Sequence, residues 1–292
     1  MVGREIKIDK RQDLFSPTPP LETLKFLIAS CAKGQSGANP KRIATFDVSR
    51  AYFYAKCNRP LYIRIPPEDW EAGDEDRVGV LHVSLYGTRD AAQNWAAEYS
   101  EYLLKLGFKQ GRASQCNFFH KGRDIRLTVH GDDFLVVAGE ADLRWLEEKL
   151  KAKYEIKSSA LGPGPSMSQE VRYLHRTLRW TSEGIEYESD SKHATNIVRD
   201  CEVLSGRGSK IPGASEREEL EDPEPLSSAE STMYRAVAAR LNYMAMDRAD
   251  LQLTARNLSR KMSAPTRGDW EKARKAARYV KHRPRAIHMS TF

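Results

Sequence analysis

Cysteine is scarce in this chain, and its scatter matters more than its number. Cys31, Cys57, Cys116 and Cys201 are the four among 292 residues, and no two form a C-x-x-C pair. A disulfide scaffold and a cysteine-ligated zinc site are both disfavoured, and a reducing intracellular setting is favoured. No apolar run reaches the roughly 18 residues that a spanning helix requires. The opening stretch Met1-Val2-Gly3-Arg4-Glu5-Ile6-Lys7 has no apolar core, so a secretory leader is not indicated either. There is no internal repeat. What is present is ordinary globular material: 40% hydrophobic residues in a length that suits one large domain or two smaller ones. The net charge of +7 favours a polyanionic partner.

The most informative stretch runs from Thr128 to Val137. Ile125, Leu127 and Val129 alternate with polar residues, Gly131-Asp132-Asp133 interrupts, and Phe134 to Ala138 resumes an apolar run. This predicts a β-hairpin with two carboxylates at its tip. A plain surface turn would carry the same residue types. A second apolar strand, Ile43 to Phe46, also ends in an aspartate, Asp47. Three carboxylates on neighbouring strand ends would repel one another unless a cation neutralised them. Hard divalent ions take such oxygen ligands, and Mg²⁺ does so with few carboxylates and substrate phosphates. A pair of such ions suits phosphoryl transfer, here nucleotidyl transfer.

Asp47-Val48-x-x-Ala51-Tyr52-Phe53, then Leu85-Tyr86-Gly87, then Gly131-Asp132-Asp133 resembles the reverse transcriptase of copia-type retrotransposons. Tyr234-Arg235-x-x-Ala238-x-x-Leu241-Asn242-Tyr243, Arg248, Asp250-Leu251, Leu258-Ser259-Arg260, Trp270 and Tyr279-Val280-Lys281 resemble that family's later segment. The resemblance runs from about Asp13 to about Pro284 and implies an α+β fold: a polymerase palm, then a thumb and a mainly helical connection. It divides the chain into a shortened fingers remnant (1–42), the palm (43–160), a primer-grip and thumb-like region (165–204), an acidic linker (205–226) and a basic helical region (227–292). By the same resemblance an RNase H domain would begin beyond Phe292.

The resemblance also assigns roles. Asp47, Asp132 and Asp133, with the Val48 carbonyl, would hold two Mg²⁺ ions, Mn²⁺ being the alternative. Tyr52 would be a steric gate against a 2′-hydroxyl, although an ordinary buried aromatic fits the residue as well. Gly87 would let the nucleotide approach closely, and Arg89 would add a cation beside it. The partners implied are an RNA or DNA template, a DNA primer, deoxynucleoside triphosphates and other segments of a parent polyprotein. Four positions depart from the pattern: Asp90 stands where an amide is usual, His130 where an aromatic is, Gly131 where a valine is, and His175 where a glycine is.

Elsewhere the pattern is local. Thr18-Pro19-Pro20 predicts a helix start with Thr18 as N-cap, and apolar spacing continues to Cys31. Strands are expected at 61–65 and 80–83, and a helix from Asp90 to Leu106 with Trp95, Tyr99 and Leu103 on its buried stripe. A helix is expected over 141–153, a single strand over 171–180 and a helix over 193–204. Residues 205–226 carry Glu216, Glu218, Glu219, Glu221, Asp222 and Glu224 and read as a solvated acidic linker. Ser227-x-x-Glu230 is a capping box. From Arg256 to Arg285 there are eleven basic residues against two acidic ones. Arg256, Arg260, Lys261, Lys272, Lys275 and Arg278 are the candidates to neutralise a duplex backbone, solvated helical faces being the plainer explanation. Two functions fit: an RNA-directed DNA polymerase, or a palm that binds nucleic acid without polymerising.

Overall fold

The computed structural model describes residues 16–74, 76–213 and 222–292. Two compact units are separable, one comprising Met1–Tyr173, Trp180–Ile185 and Ser290–Phe292, the other Leu174–Arg179 and Glu186–Met289.

The first unit opens with helix α1 (Leu21–Lys33), then strands β1 (Lys41–Val48), β2 (Tyr62–Arg64) and β3 (Val78–Val80), and helix α2 (Ala91–Lys105). Strands β4 (Lys109–Gln110), β5 (Asn117–His120), β6 (Ile125–His130) and β7 (Asp133–Gly139) lead into helix α3 (Glu140–Lys151), followed by β8 (Ile156–Leu161) and β9 (Glu170–Tyr173). Six strands form one sheet in the order β4-β5-β6-β7-β1-β8, antiparallel at every step. β7 and β1 are therefore interior strands covered on both faces, which is why Phe134 to Ala138 is apolar without alternation and wholly buried. Ala44, Phe46 and Val48 on β1 share a core with Phe134, Val136 and Ala138 on β7. The i, i+4 stripe Trp95, Tyr99 and Leu103 of α2 and Leu143, Leu146 and Leu150 of α3 close that core. Each such side chain contributes on the order of 1.5–3 kcal/mol by leaving water. The alternate residues of β1 and β7 face the other way, where α1 lies across β1, β6 and β7.

In the second unit lie most of β10 (Arg176–Trp180), β11 (Gly184–Glu188) and, at the far end of the chain, β12 (Ile287–Thr291), in the order β12-β11-β10. Between them come helices α4 (Lys192–Asp200), α5 (Ser228–Ala245), α6 (Gln252–Ser259) and α7 (Arg267–His282). Tyr234, Val237, Ala238 and Leu241 of α5 pack with Ala255 and Leu258 of α6 and with Ala273, Ala276, Ala277 and Val280 of α7. Capping boxes start two of these helices: Ser227 with Glu230, and Thr266 with Asp269. Each satisfies two backbone N–H groups that a helix start leaves open.

The α+β class stands, and several boundaries move. The first helix begins at Leu21 with Pro20 as its N-cap, and no side chain caps it. The strand expected at 80–83 lies at Val78–Val80, paired with Tyr62–Arg64. The strand expected over 171–180 breaks at Leu174 (φ 48°) and His175 (φ 62°), both left-handed. His175 thus occupies a backbone conformation that a glycine adopts without steric cost. The helix expected over 193–204 ends at Asp200. Of the acidic linker, Glu216, Glu218, Glu219 and Glu221 lie outside the described residues. Its end is not loose: Arg267 bonds the Glu224 carboxylate at 2.7 Å, and Gly268 N–H donates to the Asp222 carbonyl at 3.0 Å.

Candidate active site

β6 and β7 are joined through Gly131 and Asp132 alone, with Gly131 at φ 64°. A glycine at the first central position is what a type II′ hairpin demands, because most residues resist positive φ. The tip is held from two sides. The Trp95 indole N–H, from the core of α2, donates to the Gly131 carbonyl at 2.8 Å. The Val48 N–H, at the end of β1, donates to the Asp132 carbonyl at 3.1 Å.

Register then decides which side chains meet. Asp47 is the cross-strand partner of Asp133, Asp133 is that of His130, and on its other side Asp47 faces Lys157 of β8. Directly opposed residues of antiparallel strands share a face, so Lys157, Asp47, Asp133 and His130 make one row across four strands. Asp132 stands beside that row in the turn. All three carboxylates are partly exposed, and among the described residues neither Asp47 nor Asp132 is ion-paired with a lysine or arginine. No group of three or more acidic, histidine or cysteine side chains among the described residues is gathered as a ready metal cage. The donors are nonetheless of the right kind for a hard divalent ion, oxygen carboxylates on a hairpin and the adjoining strand end. Asp47, Asp132 and Asp133 are the residues that could hold one, with Val48 at the same strand end.

Arg50 turns the chain from β1 into a short 3-10 turn, Ala51–Tyr54, by taking a left-handed conformation at φ 56°. Its guanidinium reaches Glu155 at 2.5 Å. The turn delivers Tyr52 next to the carboxylates. Its ring stacks on Tyr86, with centroids 4.3 Å apart and planes 28° from parallel, and Phe53 meets Tyr86 edge-on at 5.8 Å. Burial, then the Asp132 charge, then Tyr86 hold the Tyr52 phenol above its ordinary pKa. Tyr86 is raised likewise by burial first, then by Asp132 and more weakly by Asp47, while backbone hydrogen bonds at Tyr52 and Ala51 act the other way. A phenolate is disfavoured beside a carboxylate, so these shifts place both rings in the field of the hairpin tip.

Gly87 has φ 91°, in the region that favours glycine, and follows Tyr86 in a turn closed by Thr88 N–H to the Leu85 carbonyl at 3.0 Å. Arg89 follows it. Asp90 is buried and holds Arg59 through two bonds, Nε to Oδ2 at 3.0 Å and Nη2 to Oδ1 at 3.2 Å. The departure at Asp90 is thereby accounted for: its carboxylate braces the start of α2. Tyr173, at the end of β9, carries a buried hydroxyl with no hydrogen-bond partner among the described residues, and burial and the nearby Asp133 both raise its pKa.

A family model described as reverse transcriptase (RNA-dependent DNA polymerase) matches residues 4–212. The chain belongs to that family. The retrovirus-related Pol polyprotein from transposon RE2 of Arabidopsis thaliana is 23% identical over 253 residues, 83% of this chain and 16% of its own length. The Ty1-BL Gag-Pol polyprotein of Saccharomyces cerevisiae is 31% identical over 137 residues, 46% of this chain and 7% of its own. The chain thus spans less than a fifth of these relatives, and the copia-type resemblance read from its motifs holds. No helix among the described residues is long and apolar enough to cross a membrane.

In this reverse transcriptase chain the basic residues of the second unit divide. Arg256, Arg260 and Lys261 are exposed; Lys272 and Arg278 are partly so. Arg260, Lys261 and Lys272 line an open cavity of about 650 Å³, together with Thr254 and Asn257. Arg278 lies 4.0 Å from Glu271. Lys275 is the exception: it is buried on the inner face of α7, so it does not belong with the surface cations. Sequence reasoning passed over Tyr86, Trp95 and Lys157 as site residues. The first stood inside a recognised motif and the second in an apolar stripe; for Lys157 only the strand register gives a signal.

Proposed function

We propose that the chain carries out RNA-directed DNA synthesis as a segment of a retrotransposon Pol polyprotein. The observation that carries this reading is the cross-strand alignment of Asp47 with Asp133, one residue from Asp132, at a tip flanked by Tyr52. Asp47, Asp132 and Asp133, with the Val48 carbonyl, would hold two Mg²⁺ ions, or Mn²⁺ in their place. Bound there, such ions supply Lewis acidity toward the primer 3′-hydroxyl and neutralise charge on the departing pyrophosphate. The reaction joins the 3′-oxygen of the primer to the α-phosphorus of a deoxynucleoside triphosphate and breaks its bond to the bridging oxygen of pyrophosphate. The hairpin, fastened by Trp95 and Val48, keeps the carboxylates in one place, so little reorganisation accompanies each addition. The Tyr52 ring excludes a 2′-hydroxyl, the bare Gly87 admits the nucleotide, and Arg89 offers a cation to its phosphates. Arg256, Arg260, Lys261, Lys272 and Arg278 neutralise phosphates of the template and primer backbone.

A second reading, a palm that grips nucleic acid without polymerising, is favoured by Asp90, whose carboxylate is committed to Arg59. Primer extension on an RNA template with Mg²⁺, comparing the parent chain with Asp132→Asn, separates the two. Extension by the parent and none by the variant, with salt-sensitive binding kept in both, is the expected result. Binding without extension in the parent supports the second reading.

A further inference from the structure

We propose that Tyr86 is a specificity-determining residue, one that positions Tyr52: its ring is the back-stop that keeps the Tyr52 ring from swinging away from the nucleotide sugar. The inference rests on the polymerase reading and on the gating role of Tyr52.

A gate of this kind works only if it cannot yield. Tyr52 hangs on a four-residue 3-10 turn, and a phenol with two free torsions would move aside for a 2′-hydroxyl unless something stood behind it. What stands there is the Tyr86 ring, stacked at 4.3 Å and nearly parallel, itself met edge-on by Phe53. Offset stacks and edge-on contacts are the two arrangements that aromatic quadrupoles prefer, so the three rings form a small interlocked set. Tyr52 is partly buried and leans on the core from one side, but its two ring neighbours are outside it. Tyr86 is 42% exposed and Phe53 41%, whereas Tyr234, Trp95 and Tyr99 are buried almost completely. Two exposed rings and the partly buried Tyr52 beside a pair of carboxylates make an apolar surface of the sort that meets a ligand.

The back-stop is itself fastened from below. Ser84 N–H donates to the Ala55 carbonyl at 2.8 Å, which ties the segment before Tyr86 to the residue that follows the 3-10 turn. The Ser84 hydroxyl accepts from the Asn94 amide at 3.0 Å and donates to the Lys56 carbonyl at 3.3 Å, so α2 anchors the same point. Beyond Tyr86, Gly87 turns the chain sharply and the Leu85–Thr88 bond closes the turn. Tyr86 therefore stands on a short pinned loop, and Tyr52 leans on it. The ligand class is a nucleoside triphosphate, and the property being read is the presence of a 2′-hydroxyl.

The test measures kcat/KM for a deoxynucleotide and for the matching ribonucleotide on one primed RNA template, using the full chain. Equilibrium binding of the two nucleotides, followed by intrinsic fluorescence, reads the same preference without turnover. Tyr52→Val is expected to lose most of the discrimination. Tyr86→Ala is expected to lose about three- to tenfold, the range that coupling within one aromatic pair allows, chiefly through a lower KM for the ribonucleotide. Tyr86→Phe keeps the ring but removes the hydroxyl bonded to the backbone of Ala51 and Tyr52, so it is expected to fall between the parent and Tyr86→Ala. Tyr52→Val with Tyr86→Ala should discriminate no worse than Tyr52→Val alone, because Tyr86 acts through Tyr52. Unchanged discrimination in Tyr86→Ala, additive losses in the double variant, or a Tyr86→Phe as damaging as Tyr86→Ala would each overturn the proposal while leaving polymerase activity intact. A parent that extends no primer overturns the functional reading instead, and the binding preference then decides the role of Tyr86 separately.

Discussion

In the first unit Asp47, near the end of β1, and Asp132, at the adjoining hairpin tip, stand partly exposed with no lysine or arginine bonded to either among the described residues. In the second, Asp247 is buried, accepts two bonds from the Arg176 guanidinium at 2.9 and 3.1 Å, and accepts another from the Tyr187 hydroxyl at 2.5 Å. Asp250 there accepts from Arg248 at 2.6 Å and from the Tyr279 hydroxyl at 2.6 Å. Both sets are aspartates next to tyrosines, yet their energetics run in opposite directions. Charge compensated inside the fold holds elements together, and removing one partner strands the other in a poorly hydrated place. Charge left uncompensated contributes nothing to folding and waits for a cation from outside. Compensation, more than residue type, separates architecture from chemistry in this chain.

The contrast can be broken by substitution. Asp247→Ala leaves Arg176 and Tyr187 without their partner and is expected to cost about 3–5 kcal/mol in urea unfolding. A loss under about 1 kcal/mol would mean that the buried network is not structural. Trp95→Phe removes the donor to the Gly131 carbonyl and is expected to cost about 1–3 kcal/mol, with faster amide exchange at the hairpin tip. Tip amides that exchange as slowly as in the parent would show that Val48 alone suffices. Asp47→Asn is expected to leave stability within about 0.5 kcal/mol of the parent, or to raise it, while primer extension is lost. Destabilisation as large as that of Asp247→Ala would erase the distinction between the two units.

Local signals in the sequence were read well where one residue or one period suffices. The apolar strand that ends at Asp47 became β1, the Gly131 interruption became the hairpin tip, and Ser227 with Glu230 became a capping box. What escaped depends on depth or on distant pairing. Lys275 belongs to a run of basic residues, and only the packing of Ala273, Ala276 and Ala277 around α7 reveals that its position points inward. Asp90 looks like a failed template contact until Arg59, thirty-one residues earlier, is seen to hold it. Lys157 enters the row with Asp47 only through strand register, which a period of two residues specifies by face and not by partner.

Arg50 carries a consequence of its own. A left-handed torsion at a non-glycine residue is disfavoured by roughly 1–2 kcal/mol, and here it falls between Asp47 and Tyr52. A single bend therefore fixes the angle between an acidic strand end and an aromatic side chain. Altering that bend would move both at once, so attempts to change sugar preference without disturbing the carboxylates should be made on the neighbouring loop rather than at the corner itself.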